Sequence, residues 1–275
     1  GKARSYLIKK GVPYRECFPS DPFFQTRSLP QIGFFVVPVL EAPDGAIVQD
    51  TSDLIEHLEA RFPVPELSPS APVQRAVAML IDAFGSEALV RTAMHYRWSY
   101  LAEQESFLRA EFGRAASASR DRAHRDAAAA PFMQAMQAHL PPLGVTPETI
   151  PAIERSYEAL LDILETHFLQ HPYMLGGRPS IADFGLMAPL YAHLARDPRP
   201  ATLMKTRAPN VWRWTERMNL SGFFDGEFAD VEPSYPSGDT IPETLEPLLA
   251  FIFSDWGPEL NAVADRYNDW IAQNP

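Results

Sequence analysis

A small α/β unit followed by an all-helical domain is the fold class this sequence predicts, and three observations carry it. Residues 34–50, FFVVPVLEAPDGAIVQD, read as a β-hairpin, two apolar runs about an Asp44-Gly45 turn. Residues 63–72, PVPELSPSAP, place four prolines in ten positions, which continue neither helix nor strand and mark a linker. From about residue 73 to the end the patterning is helical, with no strand pair.

Composition bounds the function. The 275 residues suffice for one large or two modest domains, and an apolar share of 46 % with 21 % charged residues is that of a folded globular chain. No window approaches 18 uninterrupted apolar residues, so no membrane span is expected. With 24 Lys and Arg against 35 Asp and Glu, a formal charge of −11 argues against nucleic acid and gives little attraction to anionic lipid. The single cysteine, Cys17, excludes a disulfide framework and a Cys-based zinc site. No charged-then-apolar leader is read, and the expected location is the cytoplasm.

The elements follow in order. GKARSYLIKKG reads as a helix with Ala3, Tyr6, Leu7 and Ile8 on one side, Lys and Arg on the other, and Gly11 as C-cap. VPYRECF (12–18) is a short strand candidate. After the hairpin, TSDLIEHLEARF forms an amphipathic helix with Leu54, Ile55, Leu58 and Phe62 on one stripe, and Thr51 is read as its N-cap. Beyond the linker, residues 73–113 make one long helix or two in series, with Gly85 a break. Further helices are expected at 121–139, 152–170, 180–195 and 209–219, then 242–254 and 258–272 after a Pro/Gly/Ser stretch from Phe223. Ser180-x-x-Asp183 is a capping-box pattern whose role is stability.

Three motifs resemble those of the cytosolic glutathione transferases. The first is Val36-Val37-Pro38-Val39-Leu40 with Val48-Gln49-Asp50-Thr51 after the turn. The second is Gly176-Gly177-Arg178-Pro179-Ser180-Ile181-Ala182-Asp183-Phe184, and the third Pro209-Asn210-Val211 with Trp214, Arg217 and Met218. The opening Lys2-Ala3-Arg4 and Lys10-Gly11-Val12-Pro13-Tyr14 are similar to that family's first helix and second strand. The resemblance covers roughly residues 1–62 and 150–219. It implies an α/β thioredoxin-like N-terminal domain (1–62), the linker 63–72 and an all-α C-terminal domain (73–275), with an extension from about residue 220.

The resemblance also implies chemistry. Pro38 would be cis, turning the N–H and C=O of Val37 outward to pair with the peptide-like ligand glutathione. Asp50 and Thr51 would hold its γ-glutamyl end; the register follows from Leu54 and Leu58, four and eight positions on. Both depart from the family's usual Glu or Gln followed by Ser. A free thiol is only about 3 % thiolate at pH 7, so the family aims the sulfur at the amino end of its first helix and adds a Tyr, Ser or Cys. That residue, like the family's first strand, is expected upstream of Gly1, which leaves the catalytic residue unknown. Met94, Tyr96 and Trp98 fall where the family's long helix borders the second-substrate pocket, suiting a small apolar electrophile. The expected function is transfer of the glutathione thiolate to that electrophile by a homodimer, with glutathione as co-substrate and no metal. Cys17 is read as a strand thiol rather than a nucleophile, and His167 and His171 as favourable helix-end charges rather than metal ligands. The alternative is a binding or assembly protein on the same scaffold. It is favoured by the Asp50-Thr51 departure and by a tail whose Phe251, Phe253, Trp256, Tyr267 and Trp270 would cover the site or meet a partner.

Overall fold

The computed structural model describes residues 1–274. Helix α1 (Lys2–Lys10) ends at Gly11, whose φ of 70° is the left-handed cap that glycine adopts freely. Tyr6 and Leu7 are buried as the periodicity requires. The lysines on the other side, Lys2, Lys9 and Lys10, are buried too. Lys2 Nζ lies 2.7 Å from Asp82, Lys10 Nζ lies 2.6 Å from Glu59, and Lys9 Nζ donates to the Gly222 carbonyl at 2.7 Å. Their aliphatic stems pack while each head group finds an acceptor, a pairing that periodicity alone does not disclose.

Residues 12–18 do not form the expected strand, because no ladder partner flanks them among the described residues. A π-helical turn (Phe24–Ser28) and the one-turn helix α2 (Leu29–Ile32) follow, too short to leave a period in the sequence. The hairpin forms: β1 (Val39–Glu41) pairs antiparallel with β2 (Ile47–Gln49), Leu40 opposite Val48. Gly45 at φ 87° and the Asp44 carboxylate, which accepts from the Ala46 N–H at 3.1 Å, close the turn. Helix α3 (Thr51–Arg61) buries Leu54, Ile55 and Leu58, whereas Phe62, expected on the same stripe, lies past the helix end and is exposed.

The remainder is helical. Helix α4 (Pro72–Ala83) passes through a π-helical turn (Phe84–Ala88) into α5 (Leu89–Trp98), so the break expected at Gly85 is a local unwinding. Then come α6 (Leu101–Ala116), α7 (Arg122–Gln137), α8 (Ile150–Gln170) and α9 (Ile181–Met187), which runs into a π-helical turn (Leu190–Leu194). Helix α10 (Pro198–Arg207) escaped the sequence reading because Asp-Pro-Arg-Pro reads as a breaker. Here the first proline sits at N1, where no N–H is needed. Helices α11 (Pro209–Arg217), α12 (Glu246–Asp255) and α13 (Gly257–Gln273) complete the chain. No described helix is long and apolar enough to cross a membrane.

α4 and α9 cross backbone to backbone. A Cβ on Gly85 would stand 2.7 Å from the Gly185 carbonyl carbon, and one on Gly185 would stand 2.5 Å from the Asp82 Cα. Both contacts are closer than real Cβ atoms tolerate, so Gly185→Ala must push the helices apart. We expect it to cost about 1–3 kcal/mol, read as a lower denaturation midpoint at unchanged m-value.

The capping box of α9 is present and does more than cap. Asp183 Oδ2 accepts from the Ser180 N–H at 2.9 Å; Oδ1 accepts from the Met174 N–H and the Trp214 indole N–H, both at 3.0 Å. Burial drives this carboxyl up to about 6, against the pull of those donors. One buried carboxylate thus joins the 173–176 turn, α9 and α11.

Candidate functional site

A cavity of about 640 Å³ lies where α1, the residues before β1, and α3 meet the turns that follow α4 and α9. Its wall includes Val37, Pro38, Asp50 and Thr51, four residues the sequence reading singled out. The Val37–Pro38 bond is cis, and Val37 is 52 % exposed, its backbone outside the β1–β2 ladder.

Asp50 rather than Thr51 caps α3. Its Oδ1 accepts from the Ser52 N–H at 2.7 Å, and Thr51 is the first residue of the helix. Asp50 takes the cap position through its backbone, at φ 67°, ψ 136°, outside the wells that side-chain-bearing residues prefer. Such a backbone costs about 1–3 kcal/mol and persists only where its surroundings impose it. It places the carboxylate on the cavity wall beside the exposed amino end of α3.

Three cations were invisible as site residues in the sequence. Lys2 Nζ pairs with Asp82 and also reaches Ser52 Oγ at 3.2 Å and Ser86 Oγ at 3.3 Å. It thereby ties the amino ends of α1 and α3 to the turn after α4. Burial nonetheless raises the Asp82 carboxyl, outweighing Lys2. Arg4, paired with Glu16, and Arg15 line the same wall. The first turn of α1, Lys2 to Arg4, lines the cavity, so the positive end of that helix dipole lies at its wall. His193, on the turn after α9, also lines it. Its Nδ1 is buried and has no hydrogen-bond partner among the described residues, and burial, then the cationic groups about it, push the imidazole well below its ordinary range. Nothing in its local pattern, LYAHLAR, sets it apart.

Other expected residues lie elsewhere. Met94, Tyr96 and Trp98 do not line this cavity. At 100° per residue Tyr96 points away from Met94 and Trp98. Trp98 stacks on Phe112 (5.5 Å) in a separate cluster that Met94 joins, and Tyr96 packs on Tyr157 (5.2 Å). Cys17 is not a strand thiol: it is half-buried in irregular chain on the cavity wall. His167 is not a helix-end cation, because burial and then His171 push it down to about 3. Its Nε2 faces the Tyr173 carbonyl at 3.2 Å, so it is the donor nitrogen, and Nδ1 accepts from the Thr244 hydroxyl at 2.8 Å. No His, Cys, Asp or Glu group among the described residues is arranged to hold a metal ion. Of the tail aromatics, Phe251 and Trp256 pack on Phe84, whereas Phe253, Tyr267 and Trp270 are exposed, and none lines the cavity.

Comparison with known proteins adds a family. Residues 1–67 match the glutathione S-transferase N-terminal domain family and residues 147–217 the glutathione S-transferase C-terminal domain family. Among solved structures the chain is similar to the beta-etherase LigF of Sphingobium sp. strain SYK-6, at 20 % identity and TM-score 0.48, covering 83 % of this chain and 93 % of that one. It is also similar to a glutathione S-transferase of Methylobacterium radiotolerans JCM 2831 in complex with glutathione sulfonate, at 21 % identity and TM-score 0.43, covering 88 % and 92 %. No curated protein matches the chain. The two family matches fall in the expected order, flank the cavity from both sides and together span half of the residues: the chain belongs to the glutathione S-transferase superfamily.

Proposed function

We propose that the cavity binds glutathione and that the protein transfers its thiolate to a small apolar electrophile. The observation that carries this reading is the convergence of three backbone features on one wall: the exposed Val37 outside the hairpin ladder, the strained Asp50 at the first turn of α3, and the amino end of α1. Together they offer what a peptide thiol needs. The Val37 N–H and C=O would pair with the ligand's backbone. The Asp50 carboxylate would meet the γ-glutamyl ammonium, while the first-turn N–H groups of α3 and the Thr51 hydroxyl would meet its carboxylate. The volume suits a ligand of this size.

When bound, glutathione supplies the nucleophilic sulfur. The chain's own contribution is electrostatic and positional. The helix dipole at the amino end of α1 favours the thiolate over the thiol, and a drop of two pKa units, about 2.7 kcal/mol, would make the thiolate the major form at pH 7. The fixed wall then holds the sulfur facing the electrophile, so most of the acceleration is proximity. We place the protein in the cytoplasm as a homodimer. A gel-filtration mass twice that of one chain is expected, and a monomer mass would contradict it.

Asp50→Asn isolates the charge, because Asn caps a helix as well as Asp and tolerates positive φ. Loss of one charge-assisted contact should weaken glutathione binding by about ten- to a hundredfold in a calorimetric titration. Thermal stability should stay within about 1 kcal/mol of the parent. Equal affinities would remove Asp50 from the site. Saturable glutathione binding without thiol consumption across a panel of alkyl and aryl electrophiles would favour the binding-protein alternative.

A further inference from the structure

Helix α13 leaves the body of the protein after its first turn. Gly257 is buried, Leu260 packs against the main core, and Glu259 lies 3.7 Å from Arg91. Every residue from Asn261 to Asn274 is exposed. A lone helix of this length is marginal in water, and its Asn, Asp and Tyr residues are indifferent helix formers. Its support therefore has to come from something packed against it.

The exposed length carries an apolar stripe. Val263, Tyr267 and Trp270 are 62 %, 60 % and 58 % exposed. At 100° per residue they share one face with Leu260, Ala264 and Ile271, while Asp265 and Asp269 lie on the opposite face. Leu260, Val263, Tyr267 and Trp270 follow one another at alternating spacings of three and four, the seam that another helix fills knob into hole. An anionic lipid surface does not fit, because Arg266 is the helix's single cation against Glu259, Asp265 and Asp269.

The seam is complementary to itself in one direction. In an antiparallel pair Leu260 faces Trp270 of the second copy and Val263 faces Tyr267, so each layer sets one aliphatic side chain against one aromatic ring. In a parallel pair ring meets ring at 267 and 270, and valine meets only valine at 263. With roughly 100–150 Å² still exposed on each large side chain, covering both stripes removes about 1,000 Å² of surface in all, the size at which a stable interface begins.

We propose that two copies of this chain join through α13 as an antiparallel helix pair. The proposal rests on the homodimer inferred above and names the surface that forms it. It stands apart from the thiol chemistry, since no α13 residue lines the glutathione cavity.

The test is sedimentation equilibrium of the full chain at micromolar concentrations. The parent should be a dimer. Tyr267→Glu with Trp270→Glu should weaken association at least tenfold and leave the melting curve of the body unchanged, because both side chains lie outside its core. Asp265→Ala with Asp269→Ala, on the opposite face, should stay dimeric. In a Cys17→Ser background, Leu260→Cys and Trp270→Cys should form a mixed disulfide on oxidation and none alone, since like positions lie about 15 Å apart along the antiparallel pair. A dimeric Tyr267→Glu, Trp270→Glu variant would overturn this surface and leave the homodimer standing, whereas a monomeric parent would overturn both. Cross-linking of either cysteine variant alone would overturn the antiparallel pairing.

Discussion

Asp183→Ala is expected to lower the melting temperature by roughly 6–20 °C, the consequence of losing about 3–5 kcal/mol. Alanine leaves the buried Met174 and Ser180 N–H groups and the Trp214 indole N–H without an acceptor at once, and these donors belong to the 173–176 turn and to two helices. Asp183→Asn retains one acceptor oxygen but opposes an NH₂ group to a donor, so it should fall between the parent and alanine. The same carboxyl has a pH signature of uncommon sign. Its folded value of about 6 lies above the 3.8 of an ordinary Asp, so the folded chain takes up this proton first as the pH falls. Its contribution to stability therefore grows as pH drops through about 6 and is complete below about 3.8, an increment of about 3 kcal/mol. Denaturation midpoints of the parent and Asp183→Asn between these limits should converge toward high pH and diverge toward low pH. Parallel curves would contradict the assignment.

Lys2→Met is the second large effect. The ammonium is buried against Asp82 and reaches Ser52 and Ser86, so its removal strands a carboxylate that is largely buried on α4. A cost of about 3–5 kcal/mol is expected. Removing both charges in Lys2→Met with Asp82→Leu should recover most of it, since a well-packed apolar pair replaces a buried ion pair at little net cost. The double-mutant cycle then reads a favourable coupling of at least about 1 kcal/mol in urea denaturation. Additive losses would mean that Lys2 and Asp82 act separately.

What the sequence disclosed tracks the range of the interactions. The hairpin was legible because Asp44-Gly45 and two apolar runs are local. The amphipathic helices were legible because their periods are long enough to count. The third motif was legible as a pattern, but its reason is tertiary: Arg217 pairs with Asp225 at 2.6 Å and donates to the Pro172 carbonyl at 3.2 Å. The strand expected at 12–18 failed because strand propensity needs a neighbour to bond to. The burial of Lys2, Lys9 and Lys10 was not legible, because a polar face in a period says nothing of the acceptors other elements bring to it. The Val37–Pro38 and Asp50–Thr51 segments were found through resemblance. That Asp50 is the cap became visible only through its backbone angles. Met94, Tyr96 and Trp98 were placed by analogy with a long helix, and here that helix unwinds at Phe84–Ala88 and ends at Trp98.

The central claim is that Val37, Asp50 and Thr51 form one glutathione site. Backbone amide chemical shifts recorded during a titration with reduced glutathione test it most directly. Saturable shifts are expected at Val37, Asp50, Thr51, Ser52 and the first turn of α1, with Tyr96 and Trp98 unmoved. Shifts centred elsewhere, or none from folded protein at millimolar glutathione, would contradict it.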